Sequence, residues 1–494
     1  MSLLVFSVVA AVTGGSSLAL IDYRRVSAAF GLIGLVLAVG AGTRIGNGDA
    51  IPIAGTTLAA SEFARMYLTL GSVAGLLIAL LALVTSWPAA LPGAWLLVLA
   101  ASGLGLGLAD PGAAAVAVTV GALAGIAVTV GATATPDGLR IARRELRAVV
   151  AAGVLGLAGA SVATAQTALS LDPAIVGVAW IGFAAGVAIR LGSIPFHLWV
   201  ARSADTAPPV GLPLVMAWAP AVFVVVALTW ANGSIVALGE PLSIERALIV
   251  LVAAMTIVLA ATAAVLHQDL EHVVGYSIVS DGAFALLGLT ILDPSSWEPT
   301  RTFILTFAVT KTAFAALIAA LHYTYGARQV AELNGWARRS PLLGVALAGI
   351  FVAGVGVPGT PGFQARLDLV TLALGQPLAT GLWALSLVSI AYYGRLAIVG
   401  LRRPSVAVRS GADPIPRWPS PRRSGSRADV VADTTALLRA NRAPIAAGLV
   451  LVLSGLAVTL AVGGLGVRAA AAGARPSPAF EISSSVGEVA SPAP

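Results

Sequence analysis

The chain has no cysteine. That excludes disulfides, thiolate metal sites, iron-sulfur ligation and a cysteine nucleophile. Its four histidines form no metal-ligand pattern such as H-E-x-x-H, and no glycine-rich loop follows a strand in the way a nucleotide site requires. No redox centre or other cofactor is therefore expected in this chain. Charge is scarce as well: 10% of residues are charged against 58% hydrophobic, and the mean hydropathy is +0.94. Too few polar groups are present to cover a water-soluble globule, so the composition implies a polytopic membrane protein. The rarest residue present is lysine. Of 29 basic side chains, 28 are arginine, and Lys311 stands alone inside "TFILTFAVTKTAFAALIAAL", residues 302–321.

What the chain does have is apolar runs of membrane-crossing length, about 20 residues each. They fall near 3–20, 27–43, 66–86, 92–109, 112–133, 148–169, 174–197, 211–231, 247–266, 273–292, 303–322, 342–374, 378–400 and 444–466, fourteen in all, an all-α fold. Turn signals divide them: "DPG" at 110, "ATPDG" at 134, "LDPA" at 171 and "LDPSSWEP" at 292. The first run lacks a basic n-region and is followed by Arg24 and Arg25, which reads as a retained span. Net charge is +7. The arginines behind it sit mostly in short loops, where headgroups and topology account for them better than nucleic acid does. Odd-numbered loops hold 19 arginines, whereas even loops hold only Arg44, Arg65, Arg246 and Arg301. This asymmetry predicts that both termini face away from the cytoplasm of a cell (inner or plasma) membrane. Residues 401–443, with nine arginines among prolines and serines, read as a flexible cytoplasmic loop, and 468–494 as a disordered tail.

Three basic residues within spans then stand out: Arg190 in "AGVAIRLGSIPFHLW", Lys311, and Arg366 in "VGVPGTPGFQARLDLV". Each costs roughly 2.5–3.5 kcal/mol at a helix centre and ordinarily faces a bundle interior. The two arginines could instead lie near helix ends and snorkel to the interface. Pro195 and the stretch Pro358 to Gly362 interrupt the seventh and twelfth spans. Exposed backbone of that kind is tolerated only where protein or water covers it. Paired breaks of this type point to inverted repeats, here spans four to eight and nine to thirteen. The expected organisation is therefore 1–90 (three helices), 91–232 and 246–400 (the repeats), the loop 401–443, helix fourteen at 444–467, and the tail.

Lysine can take up and release a proton, whereas arginine stays charged and supplies only field. Lys311 is thus the natural basic station of a proton path, with His322 about three turns further along the same helix. "HQDLEH" at 267–272 places His267, Asp269, Glu271 and His272 at a span end, where a solvated loop is the plainer reading.

Four stretches, "IRLGSIPFHLWVARSADTAPPV" (189–210), "QDLEHVVGYSIVSDGAFALLGL" (268–289), "LTFAVTKTAFAALIAALH" (305–322) and "LNGWARRSPLLGVALAGIFVAGVGVPGTPGF" (333–363), resemble in order and spacing the signatures of the antiporter-like membrane subunits. That family is shared by respiratory complex I (NADH-quinone oxidoreductase), Mrp-type sodium/proton antiporters and membrane-bound hydrogenases. The resemblance covers roughly residues 90–400. It implies proton conduction along the bilayer midplane, fourteen helices with breaks in the seventh and twelfth, and partnership with other membrane subunits of a redox complex. Carried over residue by residue, the family's lysine before "PFH" falls on Arg190, its "PFHLW" on Pro195 to Trp199, its "HAFFK" lysine on Lys311, and its twelfth-helix charge on Arg366. The expected proton path is Lys311, Arg190, Arg366, His197 and His322, with Glu271, His272 and Asp281 as accessories. Departures are also plain: the fifth span "AAAVAVTVGALAGIAVTV" contains no acid, the eighth has no lysine, and Glu271 replaces a lysine. On this reading the N-terminal half has lost its titratable chain. The functions implied are a proton-translocating, non-redox subunit of a complex I-like or hydrogenase-like translocase, a non-conducting scaffold of such a complex, or an Mrp-like sodium/proton subunit. A shortage of intramembrane carboxylates weighs against sodium, which needs hard oxygen ligands.

Overall fold

The computed structural model describes residues 1–53, 55–85, 89–130, 136–169, 172–197, 199, 203–204, 206–234, 242–403, 428–463 and 467–472. Helices dominate: α1 (Ser2–Ala19), α2 (Arg24–Thr43), α3 (Glu62–Thr85), α4 (Leu91–Gly107), α5 (Pro111–Thr129), α6 (Pro136–Leu169) and α7 (Pro173–Leu191) form the N-terminal part. A π-helical turn at Leu214–Trp218 leads into α8 (Ala219–Ser234). Then come α9 (Ser243–Leu266), α10 (Leu270–Gly288), α11 (Trp297–Tyr325), α12 (Pro341–Val355), α13 (Pro361–Leu374), α14 (Leu378–Ser386), α15 (Ser389–Leu401), α16 (Ala428–Ala461) and α17 (Val467–Ala472). Among the described residues eleven helical spans are long and apolar enough to cross a membrane, and α4 and α12 are shorter apolar helices. The chain is a polytopic, mostly helical membrane protein.

The helices sort by which face is small. On α9 the outward stripe is Ile244, Leu248, Leu251, Met255 and Leu259, while Ala253, Thr256, Ala260, Ala261 and Ala264 point inward. Large side chains outside and small ones inside is the arrangement expected when lipid is the solvent and helices gain by close van der Waals approach. α11 is the opposite extreme: every residue from Pro299 to Leu321 is buried, with α3, α10, α12, α13 and α16 packed around it. The helix that carries the lone lysine is therefore the axis of the molecule.

Several expectations change here. The seventh span stops at Leu191, where Gly192 adopts φ 65° and Ser193 turns the chain away. The sixth begins a dozen residues earlier than its apolar run, at Pro136. The expected loop 401–443 is helical from Ala428 onward, so helix fourteen is α16 and not 444–467, and Pro444 lies inside it; residues 404–427 lie outside the described residues. The expected tail begins with α17, whose Val467, Ala470 and Ala471 are buried, and 473–494 also lie outside them. A hairpin, β1 (Ala50–Ile53) with β2 (Thr56–Ala59), pairs Ala50 with Ala59 and lies across the end of α4, where Ala109 N–H donates to Thr57 O at 2.8 Å. No alternating pattern long enough to announce it exists in eight residues.

Candidate functional site

Three helices meet at one carboxylate. Asp281 of α10 is 2% exposed, and its Oδ2 pairs with both Lys311 Nζ at 2.7 Å and Arg366 Nη2 at 3.0 Å. Lys311, on α11, is 0% exposed. Its ammonium also donates to Tyr393 Oη at 3.4 Å and lies within 6 Å of the rings of Tyr392 and Tyr393 on α15. Those rings suit a desolvated cation.

The break between α12 and α13 is what delivers Arg366. Gly356 and Gly359 adopt φ of 84° and 87°, a region costly to any residue with a Cβ. Pro361 restarts the helix at its first turn, where a missing N–H costs nothing. Arg366 then enters the interior between Phe284 and Phe303, whose ring centres lie 5.4 and 5.5 Å from its guanidinium carbon. A polar cavity of about 390 Å³, lined by Glu298 and Thr302 of α11, Gln364 and Asp368 of α13, and Arg468, lies between the starts of these helices.

Electrostatically the cluster is one acid between two bases. Arginine keeps its charge under all ordinary conditions, so Arg366 remains a counter-ion to Asp281 whatever Lys311 does. Removing the Lys311 side chain therefore leaves the buried carboxylate matched to Arg366 instead of stranded.

A second polar group sits at the far ends of α10 and α11. His322 Nδ1 lies 3.8 Å from Glu271 Oε1, and His272 Nδ1 lies 3.9 Å from Asp269 Oδ2. His267 stacks on His272 and on Tyr276 at 4.9 and 5.0 Å. Arg395 closes the group by donating to the carbonyls of Val265 and His267 and to Gln268, which caps the C-terminus of α9. "HQDLEH" is thus a partly exposed stretch whose rings and carboxylates pack together at the ends of the two helices. The two groups share one register: α10 and α11 run antiparallel, so Asp281 faces Lys311 and, ten or eleven residues along, Glu271 faces His322. At 1.5 Å per residue they are about 15 Å apart.

Arg190 and His197 are not brought to either group. Arg190, in the last turn of α7, is 3% exposed, which removes the snorkelling alternative; its guanidinium lies 5.5 Å from the Phe223 ring. Leu191 separates it from α10 by packing on Gly282. His197 is half-buried in the turn beyond Gly192. The residues that sequence reasoning undervalued are Asp281, which bridges the cluster, Arg395, which lies inside an assigned span, and Arg301, assigned to a loop but buried against Phe63 and Trp297. A further one is Glu145, buried on α6 although assigned to a loop; it corrects the expectation of an N-terminal half without a titratable group. Among the described residues no group of His, Asp and Glu is arranged to hold a metal ion.

Comparison with known proteins agrees with this architecture. Residues 152–391 match the sequence model of the family described as NADH:quinone oxidoreductase/Mrp antiporter, TM. NADH-quinone oxidoreductase subunit N of Rhodococcus opacus (strain B4) is 27% identical over 226 residues, 45% of this chain and 41% of that protein. The subunit N of Hydrogenovibrio crunogenus is 24% identical over 204 residues, 41% of this chain and 42% of that one. The chain thus spans less than half the length of these curated relatives. Similarity of fold extends further. A chain of respiratory complex I from Thermus thermophilus with bound aureothin superposes with TM-score 0.70 at 18% identity, covering 96% of this chain and 100% of that one. A chain of the archaeal membrane-bound sulfane sulfur reductase gives 0.69 at 18%, with 96% and 100% covered. One from the Mrp complex of Dietzia sp. DQ12-45-1b gives 0.67 at 20%, with 95% and 99% covered.

Proposed function

We propose that this chain, which belongs to the family of antiporter-like membrane subunits, carries protons across the membrane as a non-redox subunit of a complex I-like or hydrogenase-like assembly. The observation that carries this reading is the single carboxylate oxygen shared by Lys311 and Arg366. Lys311 is the carrier, Arg366 the fixed counter-ion, and Asp281 the acceptor that holds both. His322 with Glu271 forms the station at one aqueous side, and the cavity lined by Glu298, Gln364 and Asp368 serves the other. Arg190 and His197 line the corresponding path of the N-terminal half. The chain crosses a cell membrane in fourteen spans built from two inverted repeats, 91–232 and 246–400, with both termini on the non-cytoplasmic side. Its partners are the other membrane subunits, and electron transfer occurs in them, so no cofactor is assigned to this chain.

An Mrp-like subunit is the second reading, favoured by the fold match to the Mrp complex; sodium dependence of transport distinguishes it. The test of the main reading is proton uptake by proteoliposomes holding the parent complex, wild type against Lys311→Met, with electron transfer followed in parallel. Loss of uptake with the complex assembled supports conduction through Lys311. Unchanged stoichiometry overturns it and leaves a non-conducting scaffold.

A further inference from the structure

The buried acid of α6 is surrounded by features that the central cluster does not use. Along the start of this helix Gly138, Ala142, Glu145, Val149 and Ala152 form the buried face, while Arg140, Arg143, Arg144 and Arg147 are exposed. Glu145 has been turned away from four nearby arginines. It is 1% exposed, so it is not there to balance them at the surface. Burying a carboxylate is costly unless its oxygens are matched. One is: Oε1 accepts from Ser203 Oγ. The other, Oε2, is buried with no hydrogen-bond partner.

The orphaned oxygen has a complement. Arg190 Nη1 and Nη2 are likewise buried and without hydrogen-bond partners. Glu145 and Arg190 line one cavity, closed by Ile126 of α5, Val215 of the π-helical turn and Trp199, whose indole N–H donates to Ile189 O at 3.0 Å. The two charged groups are not in direct ion-pair contact, and the cavity leaves about 10 Å³ for the centre of a water-sized sphere. That is room for about one water molecule. Three unmatched polar atoms of opposite character around a one-water space define a water-bridged pair, since a bridging water hydrogen-bonds nearly as well as a direct partner.

Ser203 gives the carboxyl two satisfied forms. Its Oγ is within reach of both Glu145 Oε1 and Trp199 O, the latter at 2.9 Å. A hydroxyl has one proton and two acceptor lone pairs. With Glu145 ionised, Ser203 donates to it; with Glu145 carrying a proton on Oε1, Ser203 accepts that proton's hydrogen bond and donates to Trp199 O. No side chain has to move between the two.

We propose that Glu145, Ser203 and Arg190 form a proton-binding site in the N-terminal half, in which the Glu145 carboxyl exchanges its proton through one water held by Arg190. As a station for transport the site rests on the conduction proposed above; as a binding site it does not. The test is infrared difference spectroscopy of the full-length chain in lipid, titrated with pH, on wild type, Glu145→Gln, Ser203→Ala and Arg190→Gln. The expected result is a protonated-carboxyl band that shifts in D₂O and is lost in Glu145→Gln. A water O–H band sensitive to H₂¹⁸O should vanish with it. The pH profile of the carboxyl band should move in Ser203→Ala and in Arg190→Gln. Gln preserves the volume at 145, and Ser203→Ala leaves both charged groups in place, so the result does not depend on one variant folding. A carboxyl band that Glu145→Gln leaves unchanged, or a profile indifferent to Arg190→Gln, overturns the site. Proton uptake is read in parallel: Glu145→Gln is expected to lower it at least threefold. Normal uptake in that variant overturns the station while leaving the Lys311→Met result, and hence the proposed function, to stand or fall alone.

Discussion

Removing the charge of Asp281 should expose how its two cations depend on it. Lys311 Nζ and Arg366 Nη2 lie 2.7 and 3.0 Å from the same oxygen, so they are no more than about 5.7 Å from each other. At an effective dielectric constant near 20, two unit charges at that separation repel by about 3 kcal/mol. In Asp281→Asn that repulsion is no longer offset. Removing one partner of a buried pair costs about 3–5 kcal/mol. Lys311→Met alone leaves Asp281 matched to Arg366 and costs less. The double variant Asp281→Asn, Lys311→Met removes the acid together with one of the two cations, and it should be more stable than Asp281→Asn alone. The four proteins form a double-mutant cycle, measured by unfolding of the full-length chain in a lipid-detergent micelle. A coupling of about 2–3 kcal/mol is expected. Additivity within about 0.5 kcal/mol would refute the shared-carboxylate account and leave Lys311 held mainly by Tyr393 and its ring neighbours.

Other substitutions probe the scaffold around that cluster. At the break before α13, Gly359→Ala should cost about 1–2 kcal/mol from backbone strain alone, because nothing lies within 4 Å of its added Cβ. Gly356→Ala should lower the thermal midpoint further, since its Cβ would meet the Phe363 Cα at 3.1 Å. Asp110 accepts from Ala113 N–H at 2.5 Å as the N-cap of α5; Asp110→Ala should cost about 1 kcal/mol and Asp110→Asn much less. Asp49, in the loop after α2, is held below the usual carboxylate range first by the Ser2 hydroxyl. A group lowered in the folded state stabilises above its unfolded value and loses that contribution as pH falls through the folded one. Any difference in thermal midpoint between wild type and Asp49→Asn should thus be present at neutral pH and vanish below the usual carboxylate range.

Much of this architecture was legible in the sequence because the bilayer writes long signals. A run of about 20 apolar residues and a proline-glycine break are hard to disguise, and both the axis helix of Lys311 and the interruption before Arg366 fall where those signals lie. The acids were harder to read. "LRIARRELRAVV" has the charge density of a cytoplasmic loop, and only the fold reveals that Glu145 alone faces inward. The helical spacing of Ala142, Glu145 and Val149 was the available signal. The arginines between them hide it. Asp281 looked accessory because sequence order gives no hint that residues 30 and 85 positions away converge on it. Arg395 was passed over because its span is apolar on average, while its partners are carbonyls at the end of another helix.

The burial of α11 on every side also bears on how the protein is made. Translation emits Asp281 about 30 residues ahead of Lys311 and about 85 ahead of Arg366. At 5–20 residues per second, the acid waits about 2–6 s for the lysine and about 4–17 s for the arginine. α11 meets the insertion machinery with Arg301 and Lys311 on it and cannot enter lipid cheaply as a lone segment. Entry of α10 and α11 as a hairpin would lower that cost, because Asp281 and Lys311 then meet lipid already paired. The last bond of the cluster closes only when α13 arrives, which makes Arg366 the residue that seals the assembled core.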